Sequence, residues 1–144
     1  MTAKELFSSA LVAQRELERL KLQREKLLVL AGPATAQIKD VVSHGNLPSS
    51  RVEICVESLD ELDQLYIERS TALMNLLREA DRVIMQIKKP RHREVLQLRY
   101  MCGLKWEEIR EKMEYSDVRS VHKMHGWALA EADKVIDCHG DTMV

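Results

Sequence analysis

Little in this sequence breaks, staples or folds back the chain. It has five glycines and three prolines in 144 residues, and none falls within residues 3–31 or 52–89. Three cysteines, Cys55, Cys102 and Cys138, are odd in number and widely spaced, so no pair has metal-ligand or redox spacing, and reduced thiols are expected. Aromatic residues make up 4%, and both tryptophans lie in the C-terminal third. No apolar run approaches the length of a membrane span, and the N-terminus carries no signal-peptide core; a soluble protein of the cytoplasm is expected. No Gly-rich loop or nucleophile motif is present, and the acidic cluster Asp60, Glu61, Asp63, Glu68 reads as the solvated face of a helix, so no enzyme and no cofactor are expected. Strand alternation, internal repeats and low-complexity segments are also missing.

What is present is helix. Hydrophobic residues make up 45%, enough for a folded core. Residues 3–31 place Leu6, Ala10, Ala13, Leu17, Leu20, Arg24, Leu27 and Ala31 at alternating spacings of four and three, a heptad seam. Gly32-Pro33 is expected to stop that helix, with 34–44 as a short further segment and Gly45-Asn46-Leu47-Pro48 as a loop. Ser50 and Glu53 have capping-box spacing. Behind them a second seam runs Val52, Cys55, Leu59, Leu62, Tyr66, Arg69, Leu73, Leu76, Ala80, Val83, Ile87, predicting one helix to Lys89. Such rods cannot bury their seams alone; they pack as an antiparallel hairpin, or on a second copy, and a homodimer through the N-terminal helices is expected.

The stretch from Pro90 to Leu129 reads as three short amphipathic helices. The first, Arg91 to Met101, begins after Pro90 and closes at Cys102-Gly103. The second, Lys105 to Met113, buries Trp106, Ile109 and Met113. After a turn at Glu114-Tyr115, Ser116 is placed to cap a third helix burying Val118, Val121, His125 or Met124, Ala128, and then Ala132 and Val135. Two helices joined by a tight turn, the second opening with small polar and basic side chains, are the sequence form of a helix-turn-helix. Asp137 to Val144 reads as a frayed polar tail.

Charge agrees with this placement. Residues 1–87 carry 11 basic and 13 acidic side chains, residues 88–125 carry 10 and 6, and residues 126–144 carry 1 and 4. The only basic segment is therefore the proposed helix-turn-helix, as phosphate contact requires. Arg119, Ser120, His122 and Lys123, beside Asp117, are expected to face outward at the start of the third helix; Arg reads guanine, and Lys and Ser touch phosphate. Ser116, Lys105 and Arg91 complete the expected DNA-binding set. Lys88, Lys89, Arg91 and Arg93 either hold the DNA backbone or, for the two lysines, complement a helix C-terminus. Arg99 reads as structural, with Glu94, Glu107 and Glu108 as possible ion-pair partners, and Tyr100 and Trp106 as core. His122, His125, Cys138 and His139 do not have the spacing of a zinc site.

The run REVLxLRY, G and WEEI, then YS, V, H and AL, resembles region 4 of sigma-70 family factors. It is closer still to sigma-region-4-like regulators carried by phages and prophages of low-GC Gram-positive bacteria. That group includes late-gene activators, autolysin-regulator-type proteins and a domain-of-unknown-function family with a similar helical N-terminal half. The match covers residues 88–136, with Arg110 where members usually carry Ala and Glu114 where the turn usually carries Gly. The resemblance implies an all-α protein: a helical hairpin or coiled coil over 1–89, a sigma region-4-type helix-turn-helix over 90–137, and a tail over 138–144. It implies a transcriptional regulator of the bacterial host cell that binds double-stranded DNA with its third helix in the major groove. A module that docks on RNA polymerase or another regulator without reading DNA is the alternative. A small terminase subunit also combines these parts, but in the reverse order.

Overall fold

The computed structural model describes the backbone of residues 1–44 and 49–142, and the side chains of residues 1–30 and 52–138. Among the described residues there is no strand. Five α-helices and one π-helical turn follow in order: α1 Ala3–His44, α2 Ser49–Met85, α3 Pro90–Leu96, the π turn Gln97–Met101, α4 Trp106–Met113 and α5 Val118–Thr142. No described helix is long and apolar enough to cross a membrane.

The chain divides into two compact units, one made of Met1–Gln14 and Ala72–Val144, the other of Arg15–Thr71. The first holds the main core. Leu6, Phe7, Ala80, Ile84, Ile87, Val95, Leu96, Ile109, Met113, Val121, Ala128 and Ala132 are all essentially closed to solvent and form one cluster. This cluster crosses the boundary drawn at residue 89 from the sequence, since the start of α1 and the end of α2 contribute to it.

Local chemistry explains where the helices begin. Thr2 and Glu5 form a capping box: the Glu5 N–H donates to Thr2 Oγ1 at 3.2 Å and the Thr2 N–H to Glu5 Oε2 at 3.1 Å. Asp133 Oδ1 then accepts the next free donor, the Ala3 N–H, at 2.8 Å. The proline at position 90 keeps α2 from running on into α3. The residue before a proline is pushed out of the helical region, and Lys89 is extended at φ −81, ψ 119. The helix has already stopped at Met85, four residues before the expected Lys89, with Ile87 N–H closing on Ile84 O at 3.0 Å.

Four further expectations are corrected. Gly32-Pro33 does not stop the first helix, which continues to His44. A helical proline removes one hydrogen bond, here to the Val29 carbonyl, and the alanines at 31, 34 and 36 supply strong propensity on both sides. The helix beginning at residue 90 is not α-helical to Met101: its last turn widens, with the Cys102 N–H donating to Gln97 O at 2.9 Å, an i to i−5 bond. Asp117, not Ser116, caps α5, because its Oδ1 accepts the Ser120 N–H at 2.9 Å. The polar tail is helical to Thr142. The loop at 45–48 and the capping box of Ser50 with Glu53 lie outside the described residues.

In the second unit α1 and α2 run antiparallel. Arg24 Nε pairs with Asp63 Oδ1 at 2.6 Å, and Arg69 Nε with Glu16 Oε1 at 3.3 Å. Leu20 is the only buried hydrophobic residue among the described residues of this unit. The other seam leucines, Leu17, Leu27, Leu59 and Leu62, are half-buried.

Candidate nucleic-acid interface

Two short helices, α3 and α4, and the longer α5 pack on one another through Val95, Leu96, Ile109, Met113, Val121 and Ala128. The turn between α4 and α5 is held from both sides. Glu114 ends α4 in the left-handed conformation, φ 60 and ψ 37. Arg110 donates from Nη1 to the Tyr115 carbonyl at 3.2 Å and from Nε to Glu107 Oε1 at 2.6 Å. From α3, Arg91 Nη1 reaches the Met113 carbonyl at 3.1 Å, and its guanidinium lies 5.2 Å from the centre of the Tyr115 ring. Orphan carbonyls at a helix C-terminus are natural acceptors for arginine, so two cations fasten one turn.

A second layer sits behind the π turn. Arg99 donates to the Leu104 carbonyl at 2.9 Å and stacks over the Trp106 ring at 4.3 Å. Its structural role is therefore carried by a carbonyl and an indole. Trp106 is also flanked by His122 at 4.6 Å and His125 at 4.7 Å between ring centres. Tyr100 is buried, stacks on Phe7 at 5.1 Å, and brings its hydroxyl within 2.6 Å of His125 Nε2. The Gln14 amide donates to the Tyr100 carbonyl. Burial, reinforced by Arg99, His122 and Lys4, pushes the His125 pKa down to about 4. A neutral imidazole follows, accepting at Nε2 from the Tyr100 hydroxyl, whose own pKa burial raises.

The seven residues expected to touch DNA separate into groups. Arg119, His122 and Lys123 are exposed on the first two turns of α5. Arg119 and Lys123, four apart, share a face, and His122 adjoins them while its ring rests on Trp106. Ser120 is half-buried and its hydroxyl is engaged with Asp117 at 3.1 Å, so it braces the start of the helix. Ser116 is exposed in the turn. Lys105 is exposed at the N-cap of α4, where its N–H donates to Glu108 Oε1 at 3.2 Å. Arg91 is exposed but committed to the α4–α5 turn as described. Asp117 is the one acid at the head of α5; the Ser120 N–H and then the Ser120 hydroxyl hold its pKa below the usual carboxylate range, so it stays charged.

Sequence reading missed two features of this face. The Arg110 side chain bridges the turn. Trp127 was not placed, and it is 58% exposed on α5, four residues beyond Lys123. A 3.6-residue period counted from Val121, Ala128 and Ala132 already puts position 127 off the buried stripe. Gly126, beside it, has nothing within 4 Å of where a Cβ would stand. A cavity of about 640 Å³ elsewhere in this unit is lined by Leu6, Val83 and Ile136, with Glu79, Arg82 and Gln86.

His122 and His125 turn to Trp106, and no group of three metal-ligating side chains occurs among the described residues. No protein-family model, curated protein or solved structure matches the chain.

Proposed function

We propose that this protein is a DNA-binding transcriptional regulator in which α4, the arginine-fastened turn and α5 form a helix-turn-helix of the sigma region-4 type. Residues 15–71 then serve as a coiled-coil hairpin. The observation that supports the reading best is the outer face of the first two turns of α5. It presents Arg119, His122 and Lys123 to solvent, and the one acid there has its carboxylate engaged by Ser120. Arg119 has the fork geometry to read guanine, Lys123 suits a phosphate, and Lys105 at the head of α4 suits the flanking backbone. With few cations involved, the salt dependence is modest, roughly one unit of log–log slope for each phosphate contact.

Selection of the full chain against random duplex DNA at roughly 50 and 200 mM salt tests this. The expected result is an enriched motif whose binding weakens at the higher salt. Arg119→Ala should cost about 1–3 kcal/mol and relax one base position, while Lys123→Ala should weaken all sequences alike and flatten the salt slope. A folded, helical protein that enriches no sequence would overturn the proposal.

Trp127 favours a second reading. A solvent-exposed indole in the middle of a helix face is the kind of side chain that anchors protein interfaces. In that reading the same face docks on RNA polymerase or another regulator. Trp127→Ala then abolishes capture of polymerase while Arg119→Ala leaves it intact.

A further inference from the structure

The antiparallel pair of helices in residues 15–71 leaves one face open. A groove of about 490 Å³ runs between them, floored by Leu27, Leu30, Leu62 and Leu65. Lys26 on α1 and Glu61 on α2 stand on its two walls, both exposed. One heptad along each helix, Arg19 and Glu68 repeat the arrangement and are also exposed. The walls differ in charge throughout: residues 15–30 carry five basic and three acidic side chains, residues 52–71 one basic and six acidic. A two-helix layer of this kind covers its leucines on one side only, and Leu30 remains 50% exposed.

We infer that this groove is a homodimer interface, and that a second copy closes it as a four-helix bundle with α1 of each copy lying on α2 of the other. Charge selects this arrangement. A twofold axis crossing the helices would lay each acidic α2 on its twin. An axis parallel to the helices lays basic α1 on the partner's acidic α2, and leaves every helix antiparallel to both neighbours. The parallel axis also fixes the register, because it keeps each residue at its own height along the bundle. Arg24 lies beside Asp63 within one hairpin. Two residues further along each helix, Lys26 comes level with the partner's Glu61; five residues the other way, Arg19 comes level with the partner's Glu68. Each pair occurs twice, flanking the leucines as a polar rim flanks an apolar centre. The inference stands independently of the DNA-binding proposal.

Sedimentation of the full chain across a concentration series tests it. The native protein should run at twice 16.6 kDa. Lys26→Glu and Glu61→Lys should each raise the dissociation constant by roughly tenfold or more, since each acts twice in a symmetric dimer and sets like charges face to face. The doubly exchanged protein, K26E with E61K, should dimerise as the native one does. Both substituted positions are solvent-exposed in the single chain, so unchanged helical circular dichroism is expected throughout. A native chain that stays at 16.6 kDa overturns the proposal and leaves the groove to a different partner. A dimer that K26E fails to weaken, or that the double exchange fails to restore, overturns the α1-on-α2 arrangement.

Discussion

Among single residues, His125 ties the most structure together. It accepts from Tyr100, packs on Trp106, and sits within the field of Arg99, His122 and Lys4. Burial is the first cause of its depressed pKa, about 4 against 6.5 for a free histidine. The sign of the linkage follows. In the unfolded chain His125 takes a proton below its ordinary pKa; in the folded chain it resists until about pH 4. Folding therefore gains its full contribution above about pH 6.5 and loses it as pH falls through that window. His92, whose pKa burial also lowers, acts in the same direction. Because His125 is only half-buried, the effect is about 1–2 kcal/mol rather than the full value of the shift. Thermal melting between pH 7 and pH 4 should show a falling midpoint, and His125→Gln should flatten that fall. An unchanged slope in the variant would mean that other groups carry the acid sensitivity.

At the scale of elements, the turn after α4 shows how a helix pair is tightened around a left-handed residue that is not glycine. Glu114 holds a left-handed backbone that disfavours any residue with a Cβ. Arg110 and Arg91 offset that strain by fastening the neighbouring carbonyls. Glu114→Gly should therefore stabilise the protein by about 1 kcal/mol, visible as a raised midpoint in urea with unchanged slope. A loss of stability would show that the Glu114 side chain contributes more than its backbone costs. This turn also shows what the sequence made legible. Gly103 and Glu114 punctuate the chain where expected, and the periodicity of Val121, Ala128 and Ala132 marked the buried stripe of α5, though not its extension to Thr142. Of the heptad seams read from spacing in α1 and α2, Leu6, Ala10, Leu20, Leu73, Ala80 and Val83 are buried, whereas Leu17, Leu27, Leu59 and Leu62 are half-buried and Arg24, Tyr66 and Arg69 are exposed. What failed was competition between local signals. Ser116 and Asp117 are both good caps, and only the built turn favours the second. Pro33 is a strong breaker in isolation, outweighed by its neighbours. The π turn has no sequence signal; it rests on Arg99 reaching Leu104 and on Gln14, far away in sequence, reaching Tyr100.

At the scale of the whole molecule, the consequential point is that the basic helices do not form a core of their own. Periodicity suggested a separate unit beginning at Pro90, because local spacing cannot report which distant segment fills a core. Phe7, the chain's one phenylalanine, is fully buried and stacks on Tyr100. Leu6, Ala80, Ile84 and Ile87 lie in the same cluster as Val95, Ile109 and Ala128. A fragment starting at Lys88 loses all five of these residues together with the Gln14 bond to the π turn and the Asp133 bond to the head of α1. Such a fragment should show weak helical circular dichroism and no cooperative melt, although it contains every residue expected to touch DNA. In the full chain, Phe7→Ala should cost about 3–5 kcal/mol, the usual cost of emptying a buried aromatic site. It should also lower affinity for any ligand of α5 only in proportion to the unfolded fraction. A fragment from Lys88 that melts cooperatively would instead make α3 to α5 an autonomous domain, and the N-terminal residues a cover laid over it.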